Sequence, residues 1–329
     1  MMQELISNNK KAYKANLHAH STLSDGRMTP EELVEAYRSQ GYSVLSITDH
    51  EFIIDHSDKN TEDFLLLTGY ELQLLADPDK TRRSDQSCIH MCIYSKDPHD
   101  TRHVFFNPDA PDLRHLCHVP EQIPEMQYIG RCDVVKDYNV PLINEIVKTA
   151  NETGKLVSYN HPKWSLETDE QYCNYRGFYA MEIYNNCTNM RGIEDYNPEV
   201  YDRMIRSGQD LGCVATDDCH LACDLFGGFT YILADSLTYD NIIAAMENGD
   251  FYASTGPQIF HLTRDGDKVH VESSPAAKIA LTTSGRRSKL ITGDGITHAD
   301  FLLSPTDGYF RITVTDENGH HANTRAYFL

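Results

Sequence analysis

The stretch Asn16-Leu17-His18-Ala19-His20-Ser21-Thr22-Leu23-Ser24-Asp25-Gly26 decides how the rest of the chain is read. An apolar residue leads into two histidines one residue apart, and a carboxylate follows five positions after the second. On an extended strand the side chains at i and i+2 share a face, so His18 and His20 can aim at one point. Two imidazoles placed in this way suit a single metal ion.

Working outward, Thr29-Pro30-Glu31-Glu32 reads as a helix start, with Thr as N-cap, Pro in the first turn and Glu closing a capping box. Leu33, Val34 and Tyr37 supply its apolar stripe and Gly41 its end. The β-branched run Ser43–Thr48 follows and delivers Asp49-His50 at its exit. The pattern then repeats. Phe64–Tyr70 delivers Glu71, Cys88–Tyr94 holds His90, Leu156–Asn160 ends on His161, and Cys213–Thr216 ends on Asp217-Asp218-Cys219-His220. Helical spacing over Pro141–Thr153, from Asn197 to Gly208 and from Thr238 to Gly249 lies between these runs, and Tyr179–Asn185 is a further strand. Strands alternating with helices, with polar side chains at strand exits, predict a parallel sheet closed into a TIM-like barrel over residues 1–256. Residues 97–138, rich in Asp, Pro and His, are expected to form an irregular or partly helical excursion over the barrel mouth, as a lid would.

After Thr255-Gly256-Pro257 the helical spacing stops. Runs at Gln258–Thr263, Lys268–Glu272, Lys278–Thr283 and Tyr309–Thr315, separated by Asp-Gly, Ser-Gly and Asn-Gly turns, predict a small antiparallel, sandwich-like β-domain over 257–329.

The composition narrows the function classes. The net charge of −20 repels polyanions, so nucleic acid is not expected as the main partner. No apolar run approaches a membrane span, and Met1–Lys14 lacks the apolar core of a secretory signal, so a cytoplasmic protein is expected. Nine cysteines, an odd number with no C-x-x-C pair, read as reduced thiols rather than a thiolate metal site. At the strand exits stand His18, His20, Asp25, His50, Glu71, His90, His161, Asp218 and His220. Six histidines and three carboxylates exceed the needs of one ion and suit two or three divalent ions, with zinc, manganese or iron favoured by imidazole and carboxylate donors. The histidines at 99, 103, 115, 118, 261, 270, 298, 320 and 321 are assigned to surface or loops.

In their order and strand context, His18-Ala19-His20, Ser24-Asp25-Gly26, Thr48-Asp49-His50, Gly69-Tyr70-Glu71, Asn160-His161-Pro162 and Asp218-Cys219-His220 resemble the successive motifs of the PHP (polymerase and histidinol phosphatase) family. That family comprises metal-dependent phosphoesterases on a distorted (β/α)7 barrel. The resemblance spans residues 14–255, and Phe251–Pro257 with the β-rich tail resembles its two-domain bacterial members. It implies a trinuclear site in which His18, His20, Glu71 and Asp218 hold one ion. Glu71 would bridge to a second ion held by His90 and His161, and Asp25, His50 and His220 would hold the third. Asp49 is expected to orient a ligating imidazole, Asp217 to stand behind Asp218, and Lys163 to contact a phosphate oxygen. Glu182, Tyr184 and Asn185 are expected to line the substrate pocket. The implied reaction is hydrolysis of a small phosphomonoester or related phosphoester, from a small phosphorylated metabolite, by a metal-activated hydroxide. Two alternatives stand beside it: an amide or lactone hydrolase on the same barrel, and an inactive PHP-like binding module. The last predicts missing ligands, whereas every motif position is filled.

Overall fold

The computed structural model describes residues 2–77, 83–106, 126–131 and 138–329. Strands β1 (Met2–Ile6) and β2 (Lys11–Asn16) come first. Thr29 then caps α1 (Pro30–Ser39) with the expected box: its Oγ1 accepts the Glu32 N–H at 3.2 Å, and Glu32 Oε2 accepts the Thr29 N–H at 2.8 Å. Gly41 follows at φ 74°, a left-handed conformation that glycine holds without strain. Strands β3 (Val44–Ile47), β4 (Leu65–Leu75) and β5 (Cys88–Ser95) are buried at every residue. Short strands β6 (His103–Val104) and β7 (Tyr128–Ile129) pair in parallel. Helix α2 (Val140–Glu152), capped by the Asn139 side chain, leads into β8 (Lys155–Tyr159).

Next come α3 (Asp169–Tyr172), β9 (Ala180–Asn185), α4 (Asn186–Met190), α5 (Pro198–Arg206) and β10 (Gly212–Thr216). They are followed by β11 (Phe229–Ala234), α6 (Tyr239–Asn248) and β12 (Phe251–Ser254). The remainder holds strands alone: β13 (Ile259–Asp265), β14 (Lys268–Thr283), β15 (Lys289–Leu302), β16 (Tyr309–Thr315), β17 (His321–Thr324) and β18 (Tyr327–Phe328).

The strand order along the main sheet is β1-β13-β14-β16-β17-β12-β11-β2-β3-β4-β5-β8-β9-β10. Only β2-β3-β4 and β8-β9-β10 are parallel runs. Strand β5 runs antiparallel to both its neighbours, and β11 runs antiparallel to β2. This corrects the all-parallel expectation. No ladder joins β10 to β11 among the described residues; instead Thr230 Oγ1 on β11 donates to the Ala215 carbonyl of β10 at 3.1 Å and accepts its N–H at 3.2 Å. Hydroxyl bonds thus bring the two ends of that run together where a barrel would have a strand ladder.

The strands after β12 are antiparallel, as expected, but the separate sandwich gives way to a continuation of the main sheet. Strand β12 pairs β11 on one side and β17 on the other, and β1 is carried over to pair β13. The core agrees: Leu33, Tyr37 and Phe229 pack in one apolar cluster with Leu262, Val271 and Phe310. The two expected strands at 268–272 and 278–283 are one, β14, whose register shifts between Glu272 and Ala276. Pro275 lies in that gap, where its missing N–H costs no ladder bond. The lid expected over 97–138 falls partly outside the described residues, and its described flanks are joined by the β6–β7 ladder. No described helix is long and apolar enough to cross a membrane.

Candidate metal centre

The strands and the loops at their exits bring all nine expected ligands together, seven of them buried, with His220 half-buried and Asp25 partly exposed. The parts of this cluster are His20, Asp25, His50 and His220; His18, His20 and Asp218; His18, Glu71 and His161; and His50, Glu71 and His90. Glu71 is the hub. Its Oε1 lies 3.1 Å from His18 Nε2, 3.2 Å from His90 Nδ1 and 3.3 Å from His161 Nε2, while Oε2 lies 3.1 Å from His50 Nδ1 and 3.4 Å from His20 Nε2. Asp218 Oδ1 lies 3.1 Å from His20 Nε2 and 3.2 Å from His18 Nε2. Asp25 Oδ1 lies 3.3 Å from His220 Nε2, and its Oδ2 is 3.8 Å from His50 Nε2.

Backbone geometry serves this convergence. Asp218 sits at φ 49° and Glu51, beside His50, at φ 62°, left-handed conformations that cost a non-glycine residue free energy and gather at functional sites. Gly26 allows the Asp25 turn to close, since a Cβ there would lie 2.2 Å from the His20 carbonyl oxygen.

Partners outside the cluster fix which nitrogen faces inward. Glu182 Oε1 accepts the His18 Nδ1 proton at 2.6 Å, which leaves Nε2 as the free lone pair. The Asp218 carbonyl, 2.9 Å from His220 Nδ1, does the same for His220. Ser165 Oγ, 3.2 Å from His161 Nδ1, holds His161.

Several buried atoms at the centre make no hydrogen bond: His20 Nδ1, His50 Nδ1, His90 Nε2 and Asp218 Oδ1. Asp218 Oδ1 and His50 Nδ1 do so with polar atoms 3.1 Å away, which is the packing of donors that share a cation rather than a proton. Unpaired buried polar atoms are costly, so the residues present fit divalent metal ions. The electrostatics agree. Burial would raise Glu71 and Asp218, yet the surrounding imidazoles hold both well below the carboxylate range. Burial works against a charge on His161, but the Glu71 hydrogen bond and the Asp218 charge lift it to about 9. Burial and neighbouring His20 push His50 down to about 3.

Beside the cluster opens a cavity of about 310 Å³, walled in part by Gln73, Trp164, Thr188 and Arg191. Arg191 is the cation of this cavity. Its guanidinium donates to Asp224 at 3.3 Å and to Cys187. Lys163, expected in that role, is exposed and lies outside the cavity wall that its neighbour Trp164 forms.

Further expectations change. Asp49 touches no imidazole; it accepts from Ser21 N–H, Ser21 Oγ and Ser24 Oγ, each at 2.7 Å, and so pins the loop between His20 and Asp25. Asp217 faces away from the cluster and accepts from Tyr37 OH and the N–H groups of Phe226, Gly227 and Gly228. Burial pushes its carboxyl up to about 6. Glu182 and Asn185 are buried supports rather than pocket lining: Asn185 Nδ2 donates to Glu182 at 3.0 Å and to Asp218 at 3.1 Å. Tyr184 hydrogen-bonds Asn186 and Asn189 instead. His103, assigned to the surface, is buried among Phe52, Tyr70 and Phe106, and its Nε2 accepts the Ile53 N–H. His115 and His118 lie outside the described residues.

No family model matches the chain. Over 63 residues it is 41% identical to the 5'-3' exoribonuclease of Haemophilus influenzae, a match covering 18% of this chain and 23% of that protein. Over 94 residues it is 33% identical to the DNA polymerase/3'-5' exonuclease PolX of Bacillus subtilis, covering 23% of this chain and 16% of that one. The chain thus spans less than a quarter of the length of either relative. Among solved structures, a two-domain protein of Bacteroides vulgatus containing a predicted PHP-like metal-dependent phosphoesterase aligns over 100% of this chain and 97% of its own, with a TM-score of 0.46 and 15% identity.

Proposed function

We propose, from the likeness of this chain to the PHP family, that it is a metal-dependent phosphoesterase hydrolysing a small phosphomonoester or related phosphoester. One observation carries the reading: nine imidazole and carboxylate groups converge, four of them with a buried atom that makes no hydrogen bond, beside a cavity that seven of them line and that also presents a guanidinium. Two or three divalent ions of zinc, manganese or iron, held by these groups in a trinuclear arrangement, would neutralise phosphoryl charge and make water a stronger nucleophile at neutral pH. The chain's own residues do the rest. Glu182, Ser165 and the Asp218 carbonyl keep three imidazoles turned with Nε2 inward, Asp49 holds the Asp25 loop, and Asp217 holds the turn at 226–228. Arg191, whose Nη1 and Nη2 donate to Asp224 at the cavity wall, would offer its remaining N–H groups to a phosphoryl oxygen.

The matched relatives bear the names of enzymes of nucleic acid. A chain of net charge −20 has little to grip a polyanion with, which favours a small phosphorylated metabolite. The seven described cysteines are free thiols, which suits a reducing compartment such as the cytoplasm.

The test is elemental analysis of the purified protein together with hydrolysis of an aryl phosphate. Two to three equivalents of metal are expected, and Asp218→Ala and His20→Ala should each lower metal content and cut kcat/KM at least about a thousandfold. A full metal complement without phosphatase activity would transfer the reading to amide or lactone substrates.

A further inference from the structure

The single tryptophan of the chain stands at this cavity. Trp164 packs at steep angles against two candidate ligands, with ring centroids 5.0 Å from His90 at 63° and 4.9 Å from His161 at 78°. It nevertheless remains 38% exposed. A large ring left partly bare beside a buried polar cluster is unusual for a residue whose task is packing alone.

The turn that bears it is tightly tied. Ser165 N–H donates to the His161 carbonyl at 3.1 Å, Cys88 N–H to the Ser165 carbonyl at 3.1 Å, and Ser87 Oγ to the Leu166 carbonyl at 2.9 Å. Leu166 sits at φ 56°, a strained position for a leucine. The indole is therefore presented by a turn held at both ends, and its position costs little further ordering when a ligand arrives. The segments that supply Trp164, Arg191 and His220 also leave Leu166, Met190, Ile193 and Leu221 between 41% and 57% exposed.

Resting on the phosphoester reading above, we infer that Trp164 is a specificity-determining residue that stacks on a planar aromatic group in the alcohol half of the substrate, while the phosphoryl half meets Arg191 and the metal cluster. A flat ring gains from lying against the exposed indole, and an aliphatic alcohol of similar charge does not. The preferred substrates are then phosphoesters of aromatic or heteroaromatic alcohols rather than of small polyols.

The experiment compares phenylphosphonate with methylphosphonate, stable stand-ins that differ in the ring. Binding to the zinc-loaded protein is measured by calorimetry for the wild type, Trp164→Ala and Trp164→Phe. In the wild type the lone indole reports the same events by its fluorescence. The wild type should bind the phenyl compound about tenfold more tightly. Compared at matched metal content, Trp164→Ala should bring the ratio of phenyl to methyl affinity close to one whatever its absolute affinities, and Trp164→Phe should keep most of the preference. Equal affinities in the wild type, or a preference that survives Trp164→Ala, would overturn the inference and leave the phosphoester reading in place. If neither phosphonate binds the metal-loaded protein, the phosphoester reading fails and the inference fails with it.

Discussion

Two buried polar regions of this molecule look alike at first and differ in one respect. Where β16 meets α5, Arg311 and Asp202 form a closed pair: Nε donates to Oδ1 at 2.8 Å, Nη2 to Oδ2 at 3.0 Å, and Nη1 to Thr313 Oγ1 at 2.8 Å. At the strand exits, nine groups converge and lone pairs on His20, His50, His90 and Asp218 find no donor. Charge that closes on itself inside a protein is part of the fold, whereas charge left open is a request for a ligand. Glu167 stands between the two cases. Its Oε1 accepts from Tyr138 and Tyr175, and its Oε2 has no partner.

The comparison can be broken at each of its members. Asp202→Ala should have the largest effect on stability, about 3–5 kcal/mol in urea unfolding, because it strands the buried Arg311 charge. Metal content per molecule should stay unchanged, and a fall in bound metal would show that the closed pair is not purely architectural. Glu182→Gln should act the other way round, lowering metal affinity about 10- to 100-fold through His18 with a smaller effect on the metal-free protein. Competition with a chelator reads this directly, and an unchanged affinity would remove Glu182 from the centre.

The smallest effect belongs to Glu167, whose carboxyl burial pushes up to about 7 from an ordinary 4.5. The folded state therefore holds this proton more tightly than the unfolded chain does. Its contribution is complete below about pH 4.5 and is lost as pH rises through 7. Glu167→Gln, which keeps the acceptor and removes the ionisation, should gain about 1–2 kcal/mol on the wild type between pH 5 and 8 once solvent screening is allowed for. Parallel melting curves at the two pH values would refute this.

Most of the candidate ligands are legible in the sequence because they end, or sit inside, a short apolar run, where a lone imidazole or carboxylate stands out, and Asp25 is marked instead by its Asp-Gly turn soon after His20. Two helix starts are legible for a similar reason, since Thr29 and Thr238 carry the capping chemistry themselves, whereas the Asn139 cap emerges only from the fold. Strand direction is not legible. Strand β5 is buried at all of its residues, and an apolar run with no exposed face reads the same up or down. The β1–β13 pairing joins residues far apart in the chain, and no local signal announces it. Arg191 lies in Asn189-Met190-Arg191-Gly192, a polar turn without period or motif, so its place at the cavity emerges only from the fold. Asp49 and Asp217 were legible as buried carboxylates beside ligands, but which way each points depends on serine hydroxyls and backbone amides that a spacing rule cannot rank.

Strand β12 is only four residues long, yet it holds a ladder on each flank: Tyr252, Ala253 and Ser254 face Tyr231, Thr230 and Phe229 on one side and Thr324, Asn323 and Ala322 on the other. Cutting the chain ahead of β13 would strip away the second flank and also remove β13, the strand that β1 pairs with among the described residues. The remaining fragment would carry raw strand edges, and raw edges recruit other copies of themselves into aggregates. The strands beyond β12 thus act as a selvedge, finishing the border of the sheet whose far exits gather the candidate metal ligands.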